Sequence, residues 1–596
     1  ASTQPDYSSF LVAGRPKTGQ SLDEVRDLLL EEVAKLREGD FDEKLIEATI
    51  NNYKMQLMRS FEENDSRAIL YVYSFISGAD WADEVARLDR MSKITKQDVV
   101  EWANKYLGPE SYAIIYKREG KDPDEQKIAA PKITPIVTNR DSQSEFLSEI
   151  QTSQVQPIEP VFVDYKKDMS QFEAQPGIDV LYKKNETNDI FTLIYVFNTG
   201  TENDPALNLA FNYLSYLGTD KMTAEEIASE MYDIACSFYM NAGANQSSIQ
   251  ITGLSENMGK AMEIVEGLIA GAKPDEAILE NCKADMLKSR ADAKLNQSRC
   301  FGALQRYLFY GGDFIRRTTL TDPALQALTS EQLLAKIGGL MGKQHEVLYY
   351  GPQKEAEVKS ALAEHHKVAA DLQPLEKKFS TLLPTDANKV VLAQYDAKQL
   401  YYLQFSNRGE KFDVAADPEI TLYNEYFGGG MNTIVFQEMR EARGLAYTAW
   451  ATLATPSNAN GDYSYYAFIA TQNDKMQKAV EAFDDIINNM PESEKAFGIA
   501  KEALVSRLRT ERTVKDGVLW SYLRARDLGL DAPRDKQIFE KVQSMTLDDV
   551  KAAQQKWVKG RKYVYGILGD IQDLDLNYLK TLGPIQTVSQ EEIFGY

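Results

Sequence analysis

The sequence predicts an α+β chain of tandem homologous α/β domains, two complete copies preceded by one that is incomplete at its N-terminal end. Three observations predict it. A β-rich signature occurs as DYSSFLVAG (Asp6 to Gly14), SSIQITGLS (Ser247 to Ser255) and DYSYYAFIA (Asp462 to Ala470). A second signature follows each: KITKQDVVEWANKYLGPESYAIIYK from Lys93, ALTSEQLLAKIGGLMGKQHEVLYYG from Ala327 and SMTLDDVKAAQQKWVKGRKYVYGIL from Ser544. The spacing repeats, with 87 residues from Ser8 to Thr95, 81 from Ser248 to Thr329 and 82 from Ser464 to Thr546. A period this long marks tandem domains rather than solenoid turns.

Residues 1–118 are the incomplete copy. Ser21-Leu-Asp-Glu24 is a capping box opening an amphipathic helix with Val25, Leu28, Leu29, Val33 and Leu36 on its apolar side. A second helix follows Phe41, and a third contains Tyr71 to Ile76. Thr95 then stands at a helix N-cap with Asp98 three residues on, as Thr329 does with Gln332 and Thr546 with Asp549. The hydroxyl satisfies an orphan amide and the third residue returns the bond. Each of these helices runs into a β-rich stretch: Tyr112–Tyr116, Val347–Tyr350 and Tyr563–Tyr565. Only 94 residues precede Thr95, whereas both complete copies have about 150 before the matching Thr. Aligning Asp6 on Asp462 sets Ala1 opposite the Pro456-Ser457 loop, so the first copy is expected to be cut inside a domain.

Residues 119–176 carry Pro131, Pro135, Pro157 and Pro160 among polar residues and read as an extended connector between two larger halves. Residues 177–355 form the next copy, with strands at Ile178–Tyr182 and Phe191–Phe197 and helices from Pro205 and Thr223. Residues 356–384 bridge to the last copy, residues 385–575, which opens with Lys389–Leu392 and Leu400–Phe405; residues 576–596 form a C-terminal tail.

Composition narrows the function classes. The chain has 596 residues, 43% of them hydrophobic and 10% aromatic, enough for well-packed cores. A net charge of −22 argues against nucleic acid, whose phosphates need a basic face, and disfavours anionic lipid. No apolar run reaches the length of a membrane span. Cys236, Cys282 and Cys300 form no CxxC and read as buried small apolar residues, with a single bridge as the alternative.

Chemistry-bearing residues are few. His345, His365 and His366 are the only histidines. His365 and His366 are adjacent and point about 100° apart on a helix, so they cannot chelate as an i,i+4 pair would. Glu364-His365-His366 reads as a solvated charged face, and His345 as structural or exposed. GGDF (Gly311 to Phe314) and FGGGMN (Phe427 to Asn432) lack the Lys-Ser/Thr ending of a phosphate loop. FGGGMN reads instead as a helix-to-helix turn in which glycine supplies positive φ or close backbone approach.

The stretch FGGGMNTIVFQEMREARGLAYTAWATL continues as a helix through Ile434, Phe436 and Met439, breaks at Gly444 and becomes a strand at Tyr447–Trp450. It resembles the peptidase family containing insulin-degrading enzyme, pitrilysin and the mitochondrial processing peptidases, the M16 inverzincin metallopeptidases. Arg440 and Tyr447 fall on that family's Arg and Tyr positions. The resemblance implies that they reach a peptide substrate in a closed chamber, where a guanidinium and a phenol can donate to a peptide carbonyl or an oxyanion. The alternative is structural, with Arg440 paired to Glu438 or Glu441 and Tyr447 in the core.

The resemblance extends over nearly the whole chain. It implies LuxS/MPP-like domains with antiparallel-rich sheets, of which residues 1–118, 177–355 and 385–575 match the second, third and fourth, and residues 119–176 the linker between halves. The family's His-x-x-Glu-His motif, whose histidines and a further Glu hold Zn²⁺, belongs to a first domain not contained in these residues. At the matching place in the third domain, NTGTENDPALNLAFNYLSYLGT, Leu209, Asn212 and Tyr213 stand where His, Glu and His would be. No metal ligand or catalytic residue is therefore expected in this chain, and Zn²⁺ is expected only in a parent enzyme. The expected reading is a C-terminal portion of a zinc metalloendopeptidase that helps enclose peptides, its partners being those peptides and either a missing N-terminal region or a catalytic chain. The alternative is a non-catalytic partner or structural subunit of the same type.

Overall fold

Residues 1–159 and 160–596 fold as two units. The computed structural model describes residues 2–3, 6–17, 19–110, 112–118, 120, 128–129 and 144–596.

The first unit is helical. Two short strands, β1 (Ser2–Thr3) and β2 (Ser8–Ser9), pair with each other. Helix α1 (Leu22–Glu38) begins at the expected capping box: the Ser21 amide donates to the Glu24 carboxylate at 2.7 Å and the Glu24 amide to Ser21 Oγ at 3.1 Å. Gly39, with φ of 75°, ends it in the left-handed conformation that glycine adopts without penalty. The expected second and third helices are Lys44–Phe61 and Asn64–Ser77. Helix α2 (Lys96–Tyr106) carries the Thr95–Asp98 box, and Asn104 donates to the Arg37 carbonyl at 2.7 Å to hold it against α1.

Two expectations are corrected here. Tyr112–Tyr116 is not a strand, and Ile115 is 91% exposed. DYSSFLVAG is a strand only at Ser8–Ser9, with Leu11 80% exposed. A strand must exchange hydrogen bonds with a neighbour, and the described residues of this unit offer no wider sheet to join. Of the proposed connector, residues 119, 121–127 and 130–143 lie outside the described residues. Its described part contains a helix, Glu145–Thr152, and from Pro160 onward the chain belongs to the second unit.

That unit is built on two six-stranded sheets. The first contains β3 (Ser170–Gln175), β4 (Ile178–Lys184), β5 (Ile190–Phe197), β6 (Cys236–Ala242), β7 (Ser247–Leu254) and β8 (His345–Gly351). The second contains β9 (Lys389–Gln394), β10 (Gln399–Lys411), β11 (Thr448–Ala454), β12 (Asp462–Gln472), β13 (Val564–Gly569) and β14 (Ile585–Val588). Their orders are β3-β4-β8-β5-β7-β6 and β11-β12-β10-β13-β9-β14. Pairing is antiparallel except at β4–β8, β13–β9 and β14–β9, so the expected antiparallel-rich α+β architecture is what forms. The near-continuous apolar run IFTLIYVF of β5 follows from its burial on both faces. By contrast β11, at an edge, alternates buried Ala449, Ala451 and Leu453 with half-buried residues.

Within the first half, helices α3 (Leu207–Leu214), α4 (Met258–Gly271), α5 (Glu276–Lys294), α6 (Gln297–Thr318) and α7 (Ser330–Met341) follow in order. Within the second half, α8 (Asp417–Phe427), α9 (Gly517–Asp527) and α10 (Leu547–Ala553) hold the corresponding places of α3, α6 and α7. The capping boxes at α7 and α10 form as the repeat predicts. Thr329 N–H donates to Gln332 at 3.1 Å, and Thr546 N–H to Asp549 at 2.7 Å.

The two halves exchange helices. Cys300, Phe301, Leu304 and Leu308 of α6 pack on Val391, Leu403, Phe405 and Leu568 of the second sheet. Val518, Leu519 and Leu523 of α9 pack on Leu181, Ile194, Val196 and Leu348 of the first. Each buried side chain of this size contributes roughly 2 kcal/mol of transfer free energy. At Gly566 a Cβ would stand 2.2 Å from Leu308 Cδ1, so glycine there lets α6 reach the sheet. Arg526 at the end of α9 forks onto Glu346 of β8 at 2.5 and 2.8 Å, which fixes the exchanged helix by a bidentate ion pair. Cys236, Cys282 and Cys300 are buried and form no disulfide with one another. Among the described residues no helix is long and apolar enough to cross a membrane.

Candidate functional site

The turn after α8 is shaped by close approach. A Cβ on Gly428 would lie 1.9 Å from the Ala451 carbonyl oxygen, so the first glycine of FGGGMN is there for space and not for positive φ. Gly430 O accepts from both the Thr433 amide (3.1 Å) and its hydroxyl (2.7 Å), which starts the next helical turn at Ile434. Ile434, Val435 and Met439 bury one face in the core of the second half.

Residues Gln437–Ala442 then widen into a π-helix, a local irregularity that turns side chains away from their α-helical directions. Gly444, with φ of 59°, ends the turn, and Thr471 Oγ1 donates to the Leu445 carbonyl to pin the exit. This geometry brings the two expected site residues together across the break. The Arg440 guanidinium lies 4.8 Å from the centre of the Tyr447 ring and 5.0 Å from that of Phe436, a cation between two aromatic rings. Tyr447 is 72% exposed, so it does not pack in the core. Arg440 does not pair with Glu438, which bonds Arg443 at 3.4 Å; its neighbour is Glu441, at 3.7 Å. Among the described residues the Tyr447 hydroxyl makes no hydrogen bond, so phenol and guanidinium keep donors for a ligand. The sequence reading gives Phe436 a place on the helix but no site role, although its position four residues before Arg440 is a helical-neighbour signal.

The positions expected to be degenerate are held differently. Leu209 is fully buried in the first-half core. Tyr213 is buried too, its hydroxyl donating to Ser330 Oγ at 2.8 Å and accepting from the Asp275 amide at 2.8 Å, which ties α3 to the N-termini of α7 and α5. Asn212 faces outward and is exposed. An aliphatic side chain, a buried and bonded phenol and an outward amide do not fit a zinc site. Among the described residues no group of three or more His, Cys, Asp or Glu is placed to hold a metal.

The histidines correct the sequence reading. His366 is not on a solvated face: its side chain is fully buried, while His365 beside it is partly exposed. His345 Nδ1 lies 2.8 Å from the Lys343 carbonyl, His345 Nε2 lies 2.8 Å from His366 Nε2, and His366 Nδ1 lies 2.5 Å from Glu266 of α4. A carbonyl only accepts, so His345 carries its proton on Nδ1 and, when neutral, accepts from His366 through Nε2. One proton is then shared between His366 and Glu266. Burial, and then the neighbouring His366, push the His345 imidazole down to about 4. No sequence signal marks this chain, because its carboxylate stands 100 residues from its partner.

Residues 344–504 match the family model described as the peptidase M16 inactive domain. An uncharacterized zinc protease of Rickettsia bellii is 23% identical over 312 residues, 50% of this chain and 70% of the relative. An uncharacterized zinc protease of Streptomyces coelicolor is 22% identical over 266 residues, and the chain spans 56% of that relative's length against 41% of its own. The fold is shared with a peptidase M16 inactive domain from Pseudomonas fluorescens at a TM-score of 0.54, with 18% identity, covering 67% of this chain and 98% of that one. It is also shared with a ferredoxin protease, solved with Arabidopsis ferredoxin, at a TM-score of 0.55 and 12% identity, covering 92% of this chain and 61% of that one. The inactive-domain match over residues 344–504, the zinc-protease relatives and the shared fold agree in their likeness to the C-terminal portion of the peptidase M16 family.

Proposed function

We propose that this chain supplies a substrate-enclosing portion of a zinc metalloendopeptidase, with Arg440 and Tyr447 binding peptide and the catalytic zinc held outside these 596 residues. The observation that carries the reading is the Arg440–Tyr447 pair, a half-buried cation and an exposed phenol with donors to spare on a turn anchored in the core. In a closed chamber, emptied of bulk water, such donors aimed at a peptide carbonyl stabilise negative charge developing on its oxygen. The names of the two zinc-protease relatives, and the protein-bound state of the ferredoxin protease, support a peptide or protein substrate.

A second reading is a non-catalytic partner or structural subunit of M16 type, favoured by the non-ligating Leu209, Asn212 and Tyr213 and by the inactive-domain match. Turnover of a fluorogenic peptide separates the two. The chain alone is expected to show no chelator-sensitive hydrolysis, and such activity would overturn the proposal. In the protein that carries the zinc site on the same polypeptide, Arg440→Ala and Tyr447→Phe are each expected to lower kcat/KM about 100-fold, the scale for losing one transition-state donor. Unchanged turnover in both variants removes the role assigned to the pair.

A further inference from the structure

The two sheets end on corresponding edge strands, β6 and β11, and their outer edges differ. On β11 the outward backbone is used. Ala451 N–H donates to the Gly428 carbonyl at 2.9 Å, Leu453 N–H to Asn424 Oδ1 at 2.9 Å, and Asn424 Nδ2 back to the Leu453 carbonyl at 3.0 Å. The end of α8 thus seals that edge.

On β6 the hairpin turn sets the parity. Gly243 N–H donates to the Gln246 carbonyl at 2.8 Å, and the register continues Asn241↔Ser248, Tyr239↔Gln250 and Ser237↔Thr252. In an antiparallel ladder bonded and non-bonded pairs alternate, so these three pairs bond across the ladder. The N–H and C=O of Phe238 and Met240 therefore point away from β7. Among the described residues no other element receives them.

Phe238 and Met240 also line a cavity of about 520 Å³, together with Phe211 and Asn212 of α3 and Met286 of α5. This size is ordinary for a ligand site, and its lining mixes apolar walls with convergent polar groups. Arg299, near the start of α6, stands exposed at its rim with no carboxylate partner among the described residues. Arg290 is committed to Asp322 and to the Tyr596 ring at 4.4 Å. Against the lining carboxylate of Asp285, Arg299 supplies a local positive charge on a chain of net charge −22.

We propose that β6 receives an extended peptide segment as an added strand. Its backbone bonds Phe238 and Met240, alternate side chains enter the groove beside Phe211 and Met286, and an acidic side chain meets Arg299. Unpaired strand groups at an open edge recognise an extended backbone, and the pockets beside them select side chains. This site is distinct from the Arg440–Tyr447 pair and does not rest on the role given to it.

The test is fluorescence anisotropy of the full chain with a labelled, end-capped peptide of about seven residues, alternating Thr and Val with one Glu. Saturable binding is expected. It should weaken about tenfold or more when the peptide amides facing β6 are N-methylated, since each methyl removes a backbone bond in a desolvated groove. Met240→Pro removes an outward N–H at an edge, where proline is tolerated, and should weaken binding by a similar factor with an unchanged thermal midpoint. Arg299→Ala should weaken binding of the Glu peptide about threefold and leave its Gln counterpart unaffected. Absence of saturable binding, or equal binding of the N-methylated peptide, overturns the proposal even where Met240→Pro fails to fold. Loss of binding in Arg440→Ala with none in Met240→Pro overturns it as well, and assigns the peptide to the other site.

Discussion

After the first long strand of its sheet, each half of the second unit turns into a helix, and the two helices end in opposite ways. In the first half α3 buries Leu209 and Tyr213 and shows Asn212 to solvent, and among the described residues nothing bonds the outward groups of Phe238 and Met240 on β6. In the second half α8 runs into Gly428, whose carbonyl takes the Ala451 amide, while Asn424 takes both groups of Leu453. The chain then lifts Arg440 and Tyr447 to the surface on a π-turn. The comparison teaches that a shared strand order leaves the chemistry of an edge open. One glycine and one asparagine decide whether β11 presents donors to a ligand or spends them inside the fold.

Three changes break or sharpen that comparison. Gly428→Ala has the largest expected effect. Its Cβ meets a backbone oxygen that cannot swing aside, so unfolding free energy should fall by about 3 kcal/mol or more, read as a lowered urea midpoint at unchanged m-value. Acid comes next and acts on the first sheet through His345, which opens β8 where its counterpart β13 opens with Val564. His345 titrates at about 4 when folded and near 6.5 when unfolded, so the unfolded state binds more protons between those values. The His345 contribution is therefore full above about pH 6.5 and falls as pH drops to about 4, by about 3 kcal/mol, while Asp484, raised by burial to about 6, opposes it in the same window. His345→Gln should flatten that limb of a denaturation series, and an equally steep limb in the variant would show that other groups cause it. The smallest effect is Asn424→Ala, expected to cost about 1–2 kcal/mol by leaving the Leu453 N–H and C=O unpaired. The same variant should give β11 measurable affinity for the strand-forming peptide, converting the closed edge toward the open one; unchanged affinity would show that Gly428 alone closes it.

Much of the fold was legible because its signals are local. The boxes at Ser21, Thr95, Thr329 and Thr546 involve residues three apart and form as read. The Arg440–Tyr447 encounter was legible as two residues seven apart across a glycine break. The strand expected at Tyr112–Tyr116 was misread, because β propensity there has no sheet to answer it. The buried state of His366 was misread because Glu266 and His345, which accommodate it, lie far away in the chain.

By itself the sequence determined the antiparallel-rich α+β class, the helix starts, the buried apolar strands and the non-ligating side chains at Leu209, Asn212 and Tyr213. These follow from residue type and short-range spacing, which act before any long-range contact exists. Only the tertiary structure decided that α6 and α9 cross to cover each other's sheets, that one edge is sealed and the other open, and that two distant histidines share a chain of hydrogen bonds with Glu266. Those outcomes depend on which surfaces meet after the sheets have formed, and packing and hydrogen-bond satisfaction across large sequence separations settle them.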